Sequence, residues 1–197
     1  MEQPTILAMY SGGLDSLGMI YRLLTDIEYK DYKLHIHHIH NRNVENRDRA
    51  EGVVVPLVLK ELKRLGFDFD YSESQIASQP YNGKFMFDTD SINFFAGYIC
   101  SANPNIVNVA MGMQANDANQ ALEERRQRAD NILAAFTGVK KIYPVLEMTK
   151  REIQDSLPDS LKRMFWSCRR PVYTENKIVP CGRCGTCVKL QEQGIIT

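Results

Sequence analysis

The stretch from Thr5 to Ser16 decides the fold, and it reads TILAMYSGGLDS. Its first half is a short apolar run that stops at two glycines, and apolar residues then recur at helical spacing as far as Leu24. A buried parallel strand that turns directly into a helix gives this pattern. Glycines permit a tight turn and let backbone N–H groups approach an anion, to which the helix start adds its positive dipole end. The stretch therefore predicts an anion-binding loop between a first strand and a first helix.

The side chains of this loop indicate which anion it takes. Ser11 and Ser16 can donate hydrogen bonds to phosphate oxygens. The carboxylate of Asp15 would repel a phosphate unless a cation lay between them, so we expect bound Mg²⁺. The lysine of P-loop NTPases and the Gly-x-Gly-x-x-Gly pattern of dinucleotide sites are both absent, which argues against those two classes. The alternative is a capped turn that binds no ligand.

The rest of the chain alternates short apolar or β-rich runs with longer helical patterns. This alternation predicts βαβ units, and therefore an open parallel sheet with helices on both faces. Ligands bind such sheets at the carboxyl ends of the strands. Residues 72–90 have little apolar content, and we expect a long loop there. We predict strands over 5–10, 33–40, 67–71, 106–111 and 142–145, and helices over 14–24, 45–65, 91–100, 118–136 and 150–156.

Four cysteines in the last thirty residues form a second motif, with the spacing Cys168-x12-Cys181-x2-Cys184-x2-Cys187. Two-residue gaps bring sulfurs to one centre, and a fourth ligand from a dozen residues away closes a tetrahedral Cys₄ zinc site. An iron–sulfur cluster or a redox Cys-x-x-Cys pair is the competing interpretation. We predict two units: residues 1–165 form the α/β domain, and residues 166–197 form a zinc-binding appendage. Cys100 is predicted to be a small core residue.

The amino-acid composition argues against some classes of function. The 197 residues include 24 Lys+Arg and 24 Asp+Glu, so the formal net charge is zero, and 44% of the residues are hydrophobic. A neutral total argues against non-specific nucleic-acid binding as the main role. Between Lys162 and Lys189, however, the sequence has several basic residues and one acidic residue, Glu175. This excess of positive charge indicates either a solvated surface or a polyanion site. No run is long enough for a membrane span and the start does not resemble a signal peptide, so we expect a cytoplasmic protein.

All four histidines lie in one predicted strand, at positions 35, 37, 38 and 40. Alternation along a strand sends His35 and His37 to one face and His38 and His40 to the other. We therefore do not expect one metal site that uses all four.

The loop SGGLDS resembles the pyrophosphate loop of the N-type ATP pyrophosphatases. Together with residues 143–153 and 166–187, it makes the whole chain similar to the 7-cyano-7-deazaguanine synthase family of that group. The resemblance implies an adenine-nucleotide α-hydrolase-like fold, which is Rossmann-like, and the cofactors ATP, Mg²⁺ and Zn²⁺. It also implies a small-molecule substrate of the 7-carboxy-7-deazaguanine type, which ammonia and two ATP convert to the amide and then the nitrile, and a tendency to form homodimers. The nucleotide-binding residues would be Tyr10, Ser11, Gly12, Gly13, Leu14, Asp15, Ser16 and Leu17.

The same resemblance proposes catalytic roles for three residues. Asp15 would bind Mg²⁺. Asp117 would be a second Mg²⁺ or substrate ligand, although a helix N-cap explains it equally well. Lys150 would meet phosphate, and its alternative is an exposed residue in a first helical turn.

Two stretches depart from the family pattern. Ile92 stands before Asn93 where the family has an Arg-Asn pair, and residues 38–42 read HIHNR where the family has Tyr-Gly-Gln-Arg-His. Two further functions therefore stay open. One is a related ligase that joins the deazaguanine carboxylate to an amine on a protein or nucleic acid, with the basic tail steering that macromolecular partner. The other is a non-catalytic, zinc-bearing module that binds adenine nucleotides.

Overall fold

The computed structural model describes residues 3–84, 86–114 and 123–195. Over these residues the chain forms a five-stranded parallel sheet in the order β3-β2-β1-β4-β5. The strand order reverses at β1, because β2 and β3 lie on one side of it and β4 and β5 on the other. The strands are β1 (Thr5–Tyr10), β2 (Lys33–Arg42), β3 (Asp70–Ala77), β4 (Ile106–Met111) and β5 (Lys140–Ile142).

Helices connect the strands and cover both faces of the sheet. Because side chains alternate along β1, Ile6 and Ala8 enter one apolar cluster and Leu7 and Met9 enter the other. The first cluster includes side chains of α1, α2 and α5, and the second includes side chains of α3 and α4. The predicted α/β fold is confirmed. The helices are α1 (Leu14–Thr25), α2 (Asp48–Arg64), α3 (Asp88–Ala102), α4 (Glu123–Ala134) and α5 (Lys150–Ser156), and a 3₁₀ turn spans Ile27–Tyr29.

The strand order fixes where a ligand can bind. In an open parallel sheet the crevice lies outside the carboxyl ends of the strands, at the point where the order reverses. Here that point is the end of β1, where Tyr10 leads into the loop between β1 and α1. All six residues of β1 are buried, so the strand holds the start of this loop firmly in the core.

The C-terminal part adds a small antiparallel pair, β6 (Val172–Tyr173) and β7 (Ile178–Val179), and the helix α6 (Gly185–Glu192). Leu190 of α6 and Ile195 are buried in the same apolar cluster as α1 and α5. The appendage therefore packs on the α/β unit through shared core residues, and the boundary at 165/166 stays a prediction. Within the described residues, no helix combines the length and apolar character needed to cross a membrane.

The predicted elements differ from the structure mainly at the sheet edges. The third strand was predicted over 67–71 but runs from Asp70 to Ala77, so the first part of the predicted loop over 72–90 is a strand. Its residues are mostly polar and partly exposed, and an edge strand of this kind lacks the apolar signal on which the prediction relied. The fifth strand covers 140–142 instead of 142–145, since Pro144 cannot donate a ladder hydrogen bond. The first and fourth strands and the helix over 150–156 match their predicted bounds.

Gly112 shows how tightly the end of β4 approaches the start of α1. A Cβ added at Gly112 would lie 2.6 Å from both Cα and N of Ser16, which are backbone atoms. We expect Gly112→Ala to lower the free energy of unfolding by roughly 1–3 kcal/mol, because neither backbone can move without disturbing the core. Urea unfolding of the purified protein measures the change.

Gly138→Ala is the matched control. No atom lies within 4 Å of the added Cβ at Gly138, so we expect a change within about 0.5 kcal/mol. Equal stability of the two variants would contradict the close approach at Gly112.

Candidate active site at the carboxyl ends of the sheet

The loop from Ser11 to Ser16 has the geometry of an anion site. Gly12 has a φ of 80°, a left-handed conformation that side chains disfavour, and an added Cβ would lie 3.2 Å from Cγ2 of Val55. Gly13 is the N-cap of α1 and offers no side chain, so backbone N–H groups at the helix start face the loop. Ser11 Oγ and Ser16 Oγ lie 2.9 Å apart, and Ser16 Oγ donates to the Gly13 carbonyl at 3.1 Å. Hydroxyls and helix dipole therefore converge at one point.

Two of the predicted catalytic residues meet beside this loop. Lys150 forms an ion pair with Asp15, although 135 positions separate them in the sequence. A capping box starts α5 just before Lys150: the Glu152 N–H donates to Thr149 Oγ1 at 3.3 Å, and Glu152 Oε2 accepts from the Thr149 N–H at 2.7 Å. Lys150 is only 9% exposed, so the alternative of an exposed first-turn residue is wrong. The catalytic roles of both residues stay predictions.

The close packing of α5 on α1 explains why this pair forms. A Cβ added at Gly18 would lie 2.3 Å from Cγ2 of Ile153, so the two helices touch at a glycine. This contact brings the first turn of α5 against the first turn of α1. An ammonium group and a carboxylate therefore lie together at the edge of the anion-binding loop.

A cavity opens next to Ser11, between the ends of β1 and β2 and the helices α2 and α3. It is lined by Met9, Tyr10, Ser11, His37, Ile39, Asn41, Arg47, Glu51, Asp88, Ser91 and Ile92.

Three uncharged residues of this lining carry a buried polar atom that has no hydrogen-bond partner among the described residues: Tyr10 OH, His37 Nε2 and Asn41 Oδ1. Their residues are at most 5% exposed. Buried polar atoms nearly always have a partner, so a polar ligand in the cavity would supply what the chain does not. His37 Nδ1 lies 2.7 Å from Ser72 Oγ, and burial lowers the pKa of His37 to about 4. The imidazole is therefore neutral at pH 7.

Charged side chains at the rim of the cavity balance one another. Arg47 forms ion pairs with Glu45 and Asp88, and its Nε lies 3.4 Å from Glu51 Oε1. Arg169 of the appendage reaches Glu45 at 2.7 Å and Asp88 at 3.3 Å. Burial raises the pKa of Glu51 to about 8, so its carboxyl group is protonated at pH 7. Two carboxylates then face two guanidinium groups, and the cluster has no net charge.

Neither this cluster nor Asn41 was predicted from the sequence, which marked His37 as one of four histidines in a strand. Arg47, Glu51 and Asp88 lie at the starts of α2 and α3, where charged residues are ordinary. Only the packing of α2 and α3 against the sheet brings them together. The signal available in advance was an acidic residue at position 51 on the apolar face of the predicted helix.

The two stretches that depart from the family pattern have different environments. In the stretch 38–42, Ile39 and Asn41 line the cavity, but His38 is fully buried with Nδ1 2.8 Å from the Tyr10 carbonyl. Asn93 is also buried; its Oδ1 accepts a hydrogen bond from Lys141 Nζ at 3.0 Å, whereas the preceding Ile92 lines the cavity.

His40 Nε2 lies 3.2 Å from Glu73 Oε2, and Arg42 forms an ion pair with Asp48. His35 and His37 share Ser72, and the rings of His38 and His40 touch on the other face, so the predicted alternation is confirmed. Asp117 lies outside the described residues.

The four predicted metal ligands also converge. The sulfurs of Cys168, Cys181, Cys184 and Cys187 all lie within 4.8 Å of one another. Zinc–sulfur bonds of about 2.3 Å put the four sulfurs of a tetrahedral site about 3.8 Å apart, so the residues fit a single ion. The N–H groups of Arg170 and Cys181 donate to Cys168 Sγ at 3.4 and 3.2 Å, which favours a thiolate, whereas burial raises the pKa of the Cys168 thiol. Hydrogen bonds, first of all from the Arg183 backbone, lower the pKa of Cys181 to about 6.

Comparison with known proteins supports the fold. No protein-family model matches the sequence, and no curated protein matches it. Among solved structures, the chain is similar to the "U34-tRNA thiolase NcsA from Methanococcus maripaludis with its [4Fe-4S] cluster", with a TM-score of 0.50 and 19% sequence identity. The match covers 77% of this chain and 54% of the thiolase chain. At this identity the likeness concerns the fold, and the chain spans about half the length of the thiolase.

The raised pKa of Glu51 predicts how the free energy of unfolding changes with pH. Its carboxyl group keeps a proton up to about pH 8 in the folded protein but loses it near pH 4.5 when unfolded. The wild-type protein should therefore lose stability relative to Glu51→Gln as the pH rises from about 4.5 to 8, by up to about 1.4 kcal/mol per pH unit. Urea unfolding of both proteins across this range isolates the effect, since they share every other titrating group. Parallel curves for the two proteins would show that Glu51 is ionised at neutral pH.

Proposed function

We propose that the protein is an ATP-dependent enzyme that transfers AMP to an oxygen of its substrate and releases pyrophosphate. One observation supports this most directly: the anion-binding loop, the Asp15–Lys150 pair and a cavity with unpartnered polar atoms lie together at the switch point of the sheet. The fold shared with a tRNA thiolase is compatible with this proposal. A module that only binds nucleotides would not need a buried carboxylate–ammonium pair at the loop.

The loop residues would bind the diphosphate part of ATP. Backbone N–H groups at the start of α1 and the hydroxyls of Ser11 and Ser16 would donate to phosphate oxygens, and Lys150 would add a positive charge. Asp15 would hold Mg²⁺, which neutralises charge on the leaving pyrophosphate. Asp15 is already paired with an ammonium group, so the chain partly compensates its carboxylate before any metal binds.

The cavity would hold a planar, mostly uncharged heterocycle. The cluster at its rim is balanced, and Met9, Ile39 and Ile92 give part of its wall an apolar surface. Tyr10, His37 and Asn41 offer neutral hydrogen-bonding atoms. A ring held by these atoms would present its reactive group toward Ser11 and the loop. Catalysis then depends on orientation and on stabilisation of developing phosphate charge, and no side-chain nucleophile is required.

We further propose that the substrate is a 7-carboxy-7-deazaguanine-type carboxylate. The carboxylate oxygen attacks the α-phosphorus of ATP and pyrophosphate leaves; the nitrogen of ammonia then attacks the acyl carbon, AMP leaves with the bond electrons, and a proton is released. A second adenylation, on the amide oxygen, allows AMP and two protons to depart and the nitrile to form. The sequence resemblance over residues 11–16, 143–153 and 166–187 supports this substrate, and so does a cavity suited to a heterocycle.

A macromolecular acceptor is the second candidate. The appendage is rich in basic residues, and a tRNA thiolase shares the fold. In this case the adenylated carboxylate would join an amine on a protein or nucleic acid, and free ammonia would not be used. Ile92 in the cavity lining, where the family has an arginine, favours an acceptor contact that differs from that of the family.

For the Cys₄ site we propose a single zinc ion. In a [4Fe–4S] cluster each thiolate binds a different iron, which spreads the sulfurs farther apart than around one ion. The distances between the four cysteine sulfurs, all within 4.8 Å, fit one ion better than a cluster. The site has four protein ligands and no open position, so the metal would stabilise the appendage and take no part in chemistry.

Metal analysis tests this assignment. We expect one zinc per chain in the purified protein, and Cys184→Ser should lose it and lower the melting temperature, because the appendage then lacks a ligand. Cys100→Ser is the control, since Cys100 lies in the apolar core away from the other four cysteines and should leave the zinc content unchanged. Iron and acid-labile sulfide in stoichiometric amounts would reject zinc.

Product analysis separates the candidate functions. The protein is incubated with ATP, Mg²⁺, ammonium and 7-carboxy-7-deazaguanine, and the deazaguanine products are identified by mass spectrometry. We expect the amide and the nitrile. An adenylate that accumulates without amide would favour the macromolecular acceptor, and nucleotide binding without turnover would favour the non-catalytic module.

A substitution at Asp15 tests the proposed role of its carboxylate. Asp15→Asn should slow ATP consumption by about 10²–10³-fold while the protein stays folded, because charge stabilisation at the leaving group is lost. Asp159→Asn is the control, because Asp159 is an exposed acid paired with Lys162 on the surface. Unchanged turnover in Asp15→Asn would remove Asp15 from the mechanism.

A further inference from the structure

A four-residue segment, 166–169, joins the metal site directly to the anion-binding loop. The backbone N–H of Trp166 donates to the carbonyl of Gly12 at 2.8 Å. The indole Nε1 of Trp166 donates to the carbonyl of Cys168 at 2.9 Å, and Cys168 is one of the four converging cysteines. One residue, Ser167, therefore separates a loop contact from a metal ligand.

The Trp166 amide acts on the loop through the rigidity of the peptide unit. The Gly12 carbonyl and the Gly13 N–H belong to one planar group, so fixing the direction of the carbonyl also fixes the opposite direction of the N–H. Gly12 has a φ of 80° and lacks a side chain, and within the loop this peptide unit makes a long hydrogen bond, from the Gly13 N–H to Ser11 Oγ at 3.4 Å. The hydrogen bond from Trp166 holds the unit in the orientation that turns the Gly13 N–H to the inside of the loop.

The segment also packs against the loop. A Cβ added at Gly13 would lie 3.7 Å from both Ser167 Oγ and the Trp166 carbonyl oxygen. Movement of residues 166 and 167 would thus change the space available to the loop as well as its hydrogen bonds.

The segment is anchored at both ends. On its amino side Phe165 is 5% exposed and belongs to the core beneath α1. On its carboxyl side Cys168 is 3% exposed, and Arg169 forms ion pairs with Glu45 and Asp88 at the rim of the cavity. With a metal bound, Cys168 would be fixed to the three other cysteines. Without the metal, Cys168 would keep its burial and the hydrogen bond from the Cys181 N–H, and Arg169 its partly exposed ion pairs, but no bond would tie the Cys168 sulfur to the other three sulfurs.

We propose that Trp166 is a positioning residue for the diphosphate loop, and that the metal at the four cysteines keeps it in place. The inference rests on the proposed function in one respect, that the loop binds a diphosphate. A metal that only stabilised the appendage would not affect anion binding. In this proposal the metal changes the affinity of the loop for an anion, although the metal does not contact the loop.

The test uses the full-length protein, inorganic pyrophosphate and Mg²⁺. Protein with its metal is compared with protein that has been dialysed against a chelator and then returned to Mg²⁺ buffer. Calorimetry gives the pyrophosphate Kd, hydrogen–deuterium exchange reports on residues 11–15, and fluorescence reports on Trp166, the single tryptophan of the sequence. We expect metal removal to weaken pyrophosphate binding by about tenfold, which corresponds to about 1.4 kcal/mol, and to raise exchange in the loop.

Two substitutions separate the backbone donor from the side chain. Trp166→Pro removes the N–H, and Trp166→Ala keeps it but lacks the indole. The ratio of their pyrophosphate Kd values isolates the N–H, and we expect about tenfold weaker binding for Trp166→Pro. Metal removal from Trp166→Pro should then cause little further loss, because both changes break the same connection.

The outcomes distinguish the two proposals. If the metal-loaded protein does not bind pyrophosphate, the proposed function fails. If it binds pyrophosphate, and removal of the metal changes neither the affinity nor loop exchange, the positioning role of Trp166 is overturned. Hydrogen–deuterium exchange in β4 checks for general unfolding after metal removal. If exchange in β4 rises as well, the proposal is decided by comparing Trp166→Pro with Trp166→Ala in metal-loaded protein. Equal pyrophosphate affinities of these two variants reject the positioning role of Trp166.

Discussion

The turn from β1 into α1 is the constraint on which the rest of the structure depends. β1 is buried along its whole length, Gly12 has a left-handed conformation, and the backbone of Gly112 almost touches that of Ser16. Little freedom remains for the loop between Ser11 and Ser16. An anion site that is rigid before its ligand arrives loses little conformational entropy on binding, and its hydrogen-bond donors need no rearrangement.

Other parts of the chain complete the site by packing against this turn. The first turn of α5 contributes Lys150, α2 and α3 enclose the cavity, and residues 166–169 contact the loop from the appendage. The charges are nearly balanced throughout: Lys150 faces Asp15, and two guanidinium groups face two carboxylates beside a protonated Glu51. Among the described residues, neutral polar atoms of Tyr10, His37 and Asn41 at the cavity lack a hydrogen-bond partner, which favours a substrate recognised by hydrogen bonds over one recognised by charge alone.

Local patterns in the sequence predicted those parts of the fold that are locally determined. The apolar run and glycines of β1 and its loop, the helix over 150–156 and the cysteine spacing all depend on neighbours in sequence. β3 was misplaced because an edge strand such as Asp70–Ala77 is half polar, and its pairing with β2 is a tertiary contact. The Arg47 cluster and the Trp166–Gly12 hydrogen bond were not foreseen for the same reason, since each joins segments that only the folded sheet brings together. Lys150 was singled out by resemblance, but its ion pair with Asp15 required the packing of α5 on α1.

The position at which ATP is cut tests the central claim most directly, because only a loop that holds the β- and γ-phosphates as a leaving group yields pyrophosphate. Phosphorus NMR of ATP incubated with the protein, Mg²⁺ and 7-carboxy-7-deazaguanine resolves the products. The account predicts that AMP and pyrophosphate appear in equal amounts and that ATP persists when the deazaguanine is omitted. Release of ADP and inorganic phosphate would contradict it.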